Sequence, residues 1–202
     1  MSRVIAISAG LSDASSTTLL AHRIGEAITA RDPAGSFEIV TLRDLAQQVT
    51  EANIVGFAAP RLQAVLDQVG AADAVVFVTP TYQGSFSGLF KSFVDALDSD
   101  ALIGKPVILA ATGGTARHSL VVDYAMRPVF AYLQAFVVPT GVFASPHDWN
   151  SDGANALAAR IGRAVDELMS VLGGASTGRS RDDSIDLFSE AMLSISDPQL
   201  PT

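Results

Sequence analysis

A chain of 202 residues, 49% of them hydrophobic, is long enough to close one α/β core, and a net charge of −8 argues against a nucleic-acid surface, where a basic patch is expected. The absence of cysteine removes disulfides, thiolate nucleophiles and cysteine metal sites, and His22, His118 and His147 lack the spacing of a metal motif such as HExxH. No apolar run reaches bilayer length and no basic-then-apolar leader precedes the first strand, so a cytoplasmic protein with neither membrane nor nucleic-acid partner is expected.

Val4-Ile5-Ala6-Ile7 opens the chain as an uninterrupted apolar run, the mark of a strand buried on both faces. It leads into residues 8–18, rich in small hydroxyl side chains, and then into a helix that turns Leu20, Ile24, Ala27 and Ile28 inward and is closed by Asp32, Pro33 and Gly35. Strand, hydroxyl-rich loop and helix N-terminus together form a phosphate-site geometry, because unpaired amides point outward and the hydroxyls donate the remaining bonds. The competing reading is that Ser15 or Ser16 only caps the helix. Phe37–Thr41 alternates and reads as a second strand nearer a sheet edge, whereas residues 42–59 are weakly patterned and read as a long loop around Asn53 and Gly56. Pro60 starts a helix with Leu62, Val65, Leu66 and Val69 inward.

Val75-Val76-Phe77-Val78 is the next buried run and reads as a central strand. Thr79-Pro80-Thr81-Tyr82-Gln83-Gly84 breaks it into an irregular loop, since Pro80 removes a backbone donor and Gly84 opens conformations closed to other residues. Ser87 stands as the N-cap of a helix with Leu89, Phe90, Phe93, Val94 and Leu97 on one face, and Lys91 and Asp95 are spaced for an ion pair. Val107-Ile108-Leu109-Ala110-Ala111 is a further buried strand ending in Thr112-Gly113-Gly114-Thr115. A helical stretch over residues 120–133 carries Leu120, Val121, Tyr124, Val129, Tyr132 and Leu133. Pro128 inside it cannot bond the carbonyl of Tyr124, so a kink or π-bulge is expected there. Phe136-Val137-Val138 and Gly141-Val142-Phe143-Ala144 supply a fifth strand with an irregularity at Pro139, and residues 152–172 form a last helix with Leu157, Ile161, Val165 and Leu168 inward.

Five strands alternating with helices give an α/β fold, a doubly wound five-stranded parallel sheet of flavodoxin-like order with helices on both faces. The expected organisation is one domain over residues 1–172 and a tail over residues 173–202, either a weakly amphipathic helix or disordered. GxGxxG after the first strand and GxxxxGK[ST] are both missing, which argues against a Rossmann dinucleotide site and a P-loop. The loops after the first, third and fourth strands converge at the switch point. A phosphate on the first, with a planar ring against the other two, is the shape of a bound mononucleotide such as FMN.

Thr79-Pro80-Thr81-Tyr82-Gln83-Gly84-Ser85-Phe86-Ser87-Gly88-Leu89-Phe90-Lys91, with Ala111-Thr112-Gly113-Gly114-Thr115-Ala116-Arg117-His118 and Val122-Asp123-Tyr124-Ala125-Met126-Arg127-Pro128-Val129, resembles the NAD(P)H-dependent FMN reductases. The resemblance runs from about Val4 to Ala144 and is closest to the branch that supplies reduced flavin to two-component monooxygenases. It implies that Ser8, Gly10, Ser15, Ser16 and Thr17 take the FMN phosphate, and that Pro80, Thr81, Tyr82, Gln83, Gly84, Thr112, Gly113 and Gly114 border the isoalloxazine. Hydride would pass from NADPH or NADH to the flavin with no catalytic side chain, the amides near Gly113 and Gly114 stabilising charge on the ring. Tyr82 would stack on a ring or cover the pocket floor, while His118 reads as a capping or packing residue. Family phosphate loops often carry arginine where this chain has Ser16, and Asp13 adds a negative charge nearby, a departure that suits a reductase releasing its flavin. The resemblance also implies a homodimer or homotetramer built through residues 87–97 and 120–133, where Phe86, Phe90 and Phe93 are expected to leave aromatic surface. Two readings stay open beside it: a quinone, azo or metal-ion reductase with tightly bound FMN, and a non-enzymatic flavodoxin-type electron carrier.

Overall fold

The computed structural model describes residues 1–174, so most of the expected tail, residues 175–202, lies outside the described residues. The chain runs β1 (Arg3–Ser8), α1 (Ser16–Arg31), β2 (Ser36–Thr41), a 3₁₀ turn (Leu42–Leu45), α2 (Ala46–Val55), α3 (Pro60–Ala71), β3 (Ala74–Tyr82), β4 (Ser85–Phe86), α4 (Gly88–Asp95) and β5 (Pro106–Thr112). A π-helical stretch (Val122–Met126), α5 (Arg127–Tyr132), β6 (Phe136–Val137), β7 (Val142–Ala144), a 3₁₀ turn (Pro146–Trp149) and α6 (Ser151–Gly174) complete it. The strands lie in the order β2-β1-β3-β5-β6, with β7 continuing the last position beside β5, and every one of these pairs is parallel. This is the flavodoxin-like α/β sheet, its fifth strand divided at Pro139.

The uninterrupted apolar runs are explained by cover on both faces. Ile5, Ile7, Val75, Phe77, Val107 and Leu109 pack beneath α2, α3, α4 and α5, while Val4, Ala6, Val76, Val78, Ile108 and Ala110 pack beneath α1 and α6. Alternate residues of each strand point to opposite cores, so the middle of each strand is apolar on both faces and buried polar residues enter only near the carboxyl ends, at Ser8, Thr79 and Thr112. Local signals end the elements. Ser15 caps α1 by accepting from Thr18 N, Ser87 caps α4 by accepting from Phe90 N, and Lys105 Nζ donates to Val69 O, Gly70 O and Ala72 O to close α3. Lys91 and Asp95 form the expected pair at 2.5 Å. No helix among the described residues is long and apolar enough to cross a membrane.

Three expectations need correction. Residues 42–59 are not a long loop: Leu42, Leu45, Val49 and Ala52 form a narrow buried stripe, and Gly56, at φ +82°, is a left-handed helix stop whose amide returns to Ala52 O. The stripe is hard to read because polar residues surround it. Second, Pro80 does not end its strand. Val78 and Pro80 face the side where β1 has already terminated after Ser8, so the missing N–H breaks no ladder bond, and β3 continues to a hairpin with β4. Third, Phe90 and Phe93 leave no aromatic surface, being 1% and 0% exposed. Phe90 lies edge-on to Phe77 at 6.0 Å and tilted against Phe130 at 6.2 Å, so the short helix is clamped between the sheet and α5. The π-helical stretch appears one turn before Pro128, as the missing donor requires. It turns Val122, Met126 and Phe130 into the core and leaves Tyr124 and Tyr132 78% and 86% exposed.

Candidate functional site

Because β1, β3 and β5 are parallel neighbours, the three segments leaving their carboxyl ends meet at one edge of the sheet. They enclose a cavity of about 350 Å³. Leu11, Ser12, Ala14, Ser15, Ser16 and Thr17 line it from the first loop, Pro80, Thr81 and Tyr82 from the second, and Thr112, Gly113 and Gly114 from the third. Pro146 and Trp149 form a fourth wall.

The hydroxyls of the first loop divide by what already holds them. Ser8 is fully buried, its Oγ 3.0 Å from Thr18 Oγ1, so it braces the root of the loop and does not line the cavity. Gly10 also stands behind the wall. A Cβ there would fall 2.0 Å from Ser15 Oγ, so only glycine lets the loop fold back onto its own helix cap. Ser15 lines the cavity and accepts from Thr18 N at 3.3 Å, which makes it cap and wall together. Thr17 is buried with its Oγ1 2.8 Å from Thr112 Oγ1, joining the first loop to the third. Ser12 and Ser16 are exposed, line the cavity and carry no side-chain bond within the described residues.

The second and third loops supply flat backbone and an unmatched polar atom. Thr81 Oγ1 is buried and has no hydrogen-bond partner among the described residues. Tyr82 is half-exposed on the rim. Gln83 and Gly84 do not reach the cavity. They form the two-residue turn between β3 and β4, both left-handed at φ +50° and +77°, as a hairpin of this length requires. Gly113 packs so closely that a Cβ would meet the Phe143 ring at 2.8 Å, and its N–H donates to Ala144 O at 3.0 Å. Of the expected pair of ring-facing amides, only Gly114 is left without such a bond. His118 lies half-buried in a short 3₁₀ turn outside the cavity lining.

The fourth wall was missed by sequence reasoning, although Ser145-Pro146-His147-Asp148 has the spacing of a capping box with proline at the first turn position. Asp148 accepts from Ser145 N at 2.8 Å and Ser145 Oγ at 2.7 Å. Burial pushes its carboxyl up, but the side-chain and backbone bonds from Ser145 and the charges of Arg160 and His147 together hold it below the usual carboxylate range. Trp149 is fixed from behind by the Arg23 guanidinium, 5.3 Å from the ring centroid. None of the cavity-lining side chains is charged, and among the described residues no group of His, Asp or Glu is placed to hold a metal ion.

The family model described as NADPH-dependent FMN reductase matches residues 2–150. An FMN reductase (NADPH) of Pseudomonas aeruginosa is 38% identical over 176 residues, covering 86% of this chain and 94% of that protein. An NADH-dependent FMN reductase, SfnF, of Pseudomonas fluorescens is 35% identical over 147 residues, 73% of this chain and 78% of its own. Among solved structures, an oxidoreductase from Corynebacterium diphtheriae superposes with a TM-score of 0.82 at 42% identity, covering 86% of this chain and 98% of that one.

Proposed function

Since the chain belongs to the NADPH-dependent FMN reductase family, we propose that it is an enzyme that reduces FMN with NADPH or NADH as the hydride donor. The observation that carries this reading is one cavity joining the hydroxyls of Ser12, Ser15 and Ser16, at the N-terminus of α1, to the glycine backbone after β5. The residues fit the group. Hydroxyls and helix amides suit a phosphate, the orphaned Thr81 Oγ1 wants a polar partner, and Gly114, where a Cβ would meet nothing within 4 Å, leaves room for a planar ring. When bound, FMN supplies the two-electron chemistry. The chain's own residues hold and orient: Ser12, Ser15 and Ser16 take the phosphate, Thr17 and Thr112 lock two loops together, Pro80, Thr81 and Tyr82 border the ring, and the Gly114 amide faces its polar edge. Pro146 and Trp149 form a further wall and limit water. No acid or base side chain is required for hydride transfer between the two cofactors.

The same reading extends to partners and place. A phosphate loop with Ser16 in place of arginine suits loose flavin binding, so we assign reduced FMN as a product released to a partner monooxygenase. Tyr124, Tyr132, Leu120 and Phe136 are exposed around the π-helical stretch and α5, and a homodimer or homotetramer covers them. A pool of reduced nicotinamide favours the cytoplasm. Residues 1–172 act as one domain.

Steady-state oxidation of NADH and of NADPH, with and without free FMN, tests the function. Oxidation that depends on added FMN is expected. Absence of oxidation with either nicotinamide in the presence of FMN overturns the enzyme reading, and a yellow protein that gains nothing from added FMN overturns release.

A further inference from the structure

We infer that Arg43 and Asp13 act as a pair that sets the charge of the phosphate loop, making Arg43 a specificity-determining residue for phosphorylated over unphosphorylated flavin. The inference rests on the flavin reading above. It begins with strand register. β1 and β2 are parallel with Ser8 opposite Thr41, so the segments that leave them emerge side by side at the carboxyl edge. Leu42 and Leu45 are buried, at 0% and 3% exposure, and anchor the 3₁₀ turn against the core. Arg43, between them, is left on the outside, and its Nη1 donates to Asp13 Oδ1. Asp13 stands between Ser12 and Ala14, both of which line the cavity.

The lining itself carries no charged side chain, so the charges bonded onto this loop are Asp13 and Arg43. A phosphate monoester is close to dianionic at neutral pH. Asp13 alone would repel it, and on a chain of net charge −8 no general positive field offsets that repulsion. Arg43 cancels Asp13. Arg43 does not itself line the cavity, so its influence on a bound phosphate is carried by its charge. The pair is solvent-exposed, with the Asp13 side chain 92% accessible, so it adds little to folding stability. Its effect falls on the ligand.

The test is fluorescence titration of FMN and riboflavin, which differ only in the phosphate, with the unsubstituted protein, Arg43→Gln, Asp13→Asn and the double variant. Arg43→Gln should weaken FMN about fivefold, the scale of an exposed charge pair, and leave riboflavin unchanged. Asp13→Asn should tighten FMN, and the double variant should return toward the unsubstituted value. The Arg43→Gln loss should shrink as salt is raised. An Arg43→Gln effect equal for both flavins, or none for FMN, overturns the inference while leaving the flavin site standing. Failure of the unsubstituted protein to bind either flavin overturns the flavin reading and the inference with it.

Discussion

Thr17 Oγ1 and Thr112 Oγ1 lie 2.8 Å apart, both side chains buried, and so join the first turn of α1 to the carboxyl end of β5. Residues 95 apart in sequence therefore hold the two sides of the cavity at a fixed width. Thr17→Val leaves the Thr112 hydroxyl buried without its partner and should cost about 1–3 kcal/mol in urea unfolding. Adding Thr112→Val should cost less than the sum of the two single changes, since the second removes the orphan made by the first. Strictly additive costs would mean that the hydroxyls do not depend on each other.

Ser12 and Ser16 are the cleanest probes of the phosphate, because Ser15 also caps α1 and Thr17 also holds Thr112. Replacing both with alanine should weaken FMN about tenfold, from about 0.5–1.5 kcal/mol for each neutral hydrogen bond. Riboflavin should be unaffected. Equal losses for the two flavins would place the phosphate elsewhere.

The Asp148 carboxyl is held below its ordinary value by Ser145, Arg160 and His147 acting against burial. A depressed carboxylate stabilises the fold fully above the unfolded pKa of about 3.9 and loses that contribution as pH falls through the lower folded value. Asp148→Asn should therefore be less stable than the unsubstituted protein at neutral pH, with the gap closing below about pH 4. Chemical denaturation of both proteins across acid pH checks this. A gap that stays constant would show that the Pro146–Trp149 wall does not depend on the ionised carboxylate.

Tyr124 and Tyr132 give the sharpest test of assembly. Light scattering at micromolar concentration should find a multiple of the 21.0 kDa chain mass, and Tyr124→Asp with Tyr132→Asp should reduce it to the monomer. An unsubstituted protein that runs as a monomer and still reduces FMN at full rate would refute the oligomer.

Local pattern alone determined much of this protein. Val4–Ile7, Val75–Val78 and Val107–Ala111 are apolar without alternation, which a sheet covered on both faces accommodates, and so the buried parallel sheet could be read directly. Ser15 and Ser87 announced their helices, and Pro128 announced the π-helical stretch, because caps and missing donors act within one turn. Tertiary structure decided the rest. That Phe90 is clamped between Phe77 and Phe130 rather than left outside depends on α4 and α5 sharing a sheet face. That the Gly113 amide is taken by Ala144, that Trp149 closes the cavity, and that Arg43 meets Asp13 all depend on which strands lie side by side. Periodicity reports whether a residue faces inward, which is a property of its own few neighbours. What it faces is set by pairing between segments tens of residues apart, and no local spacing encodes that.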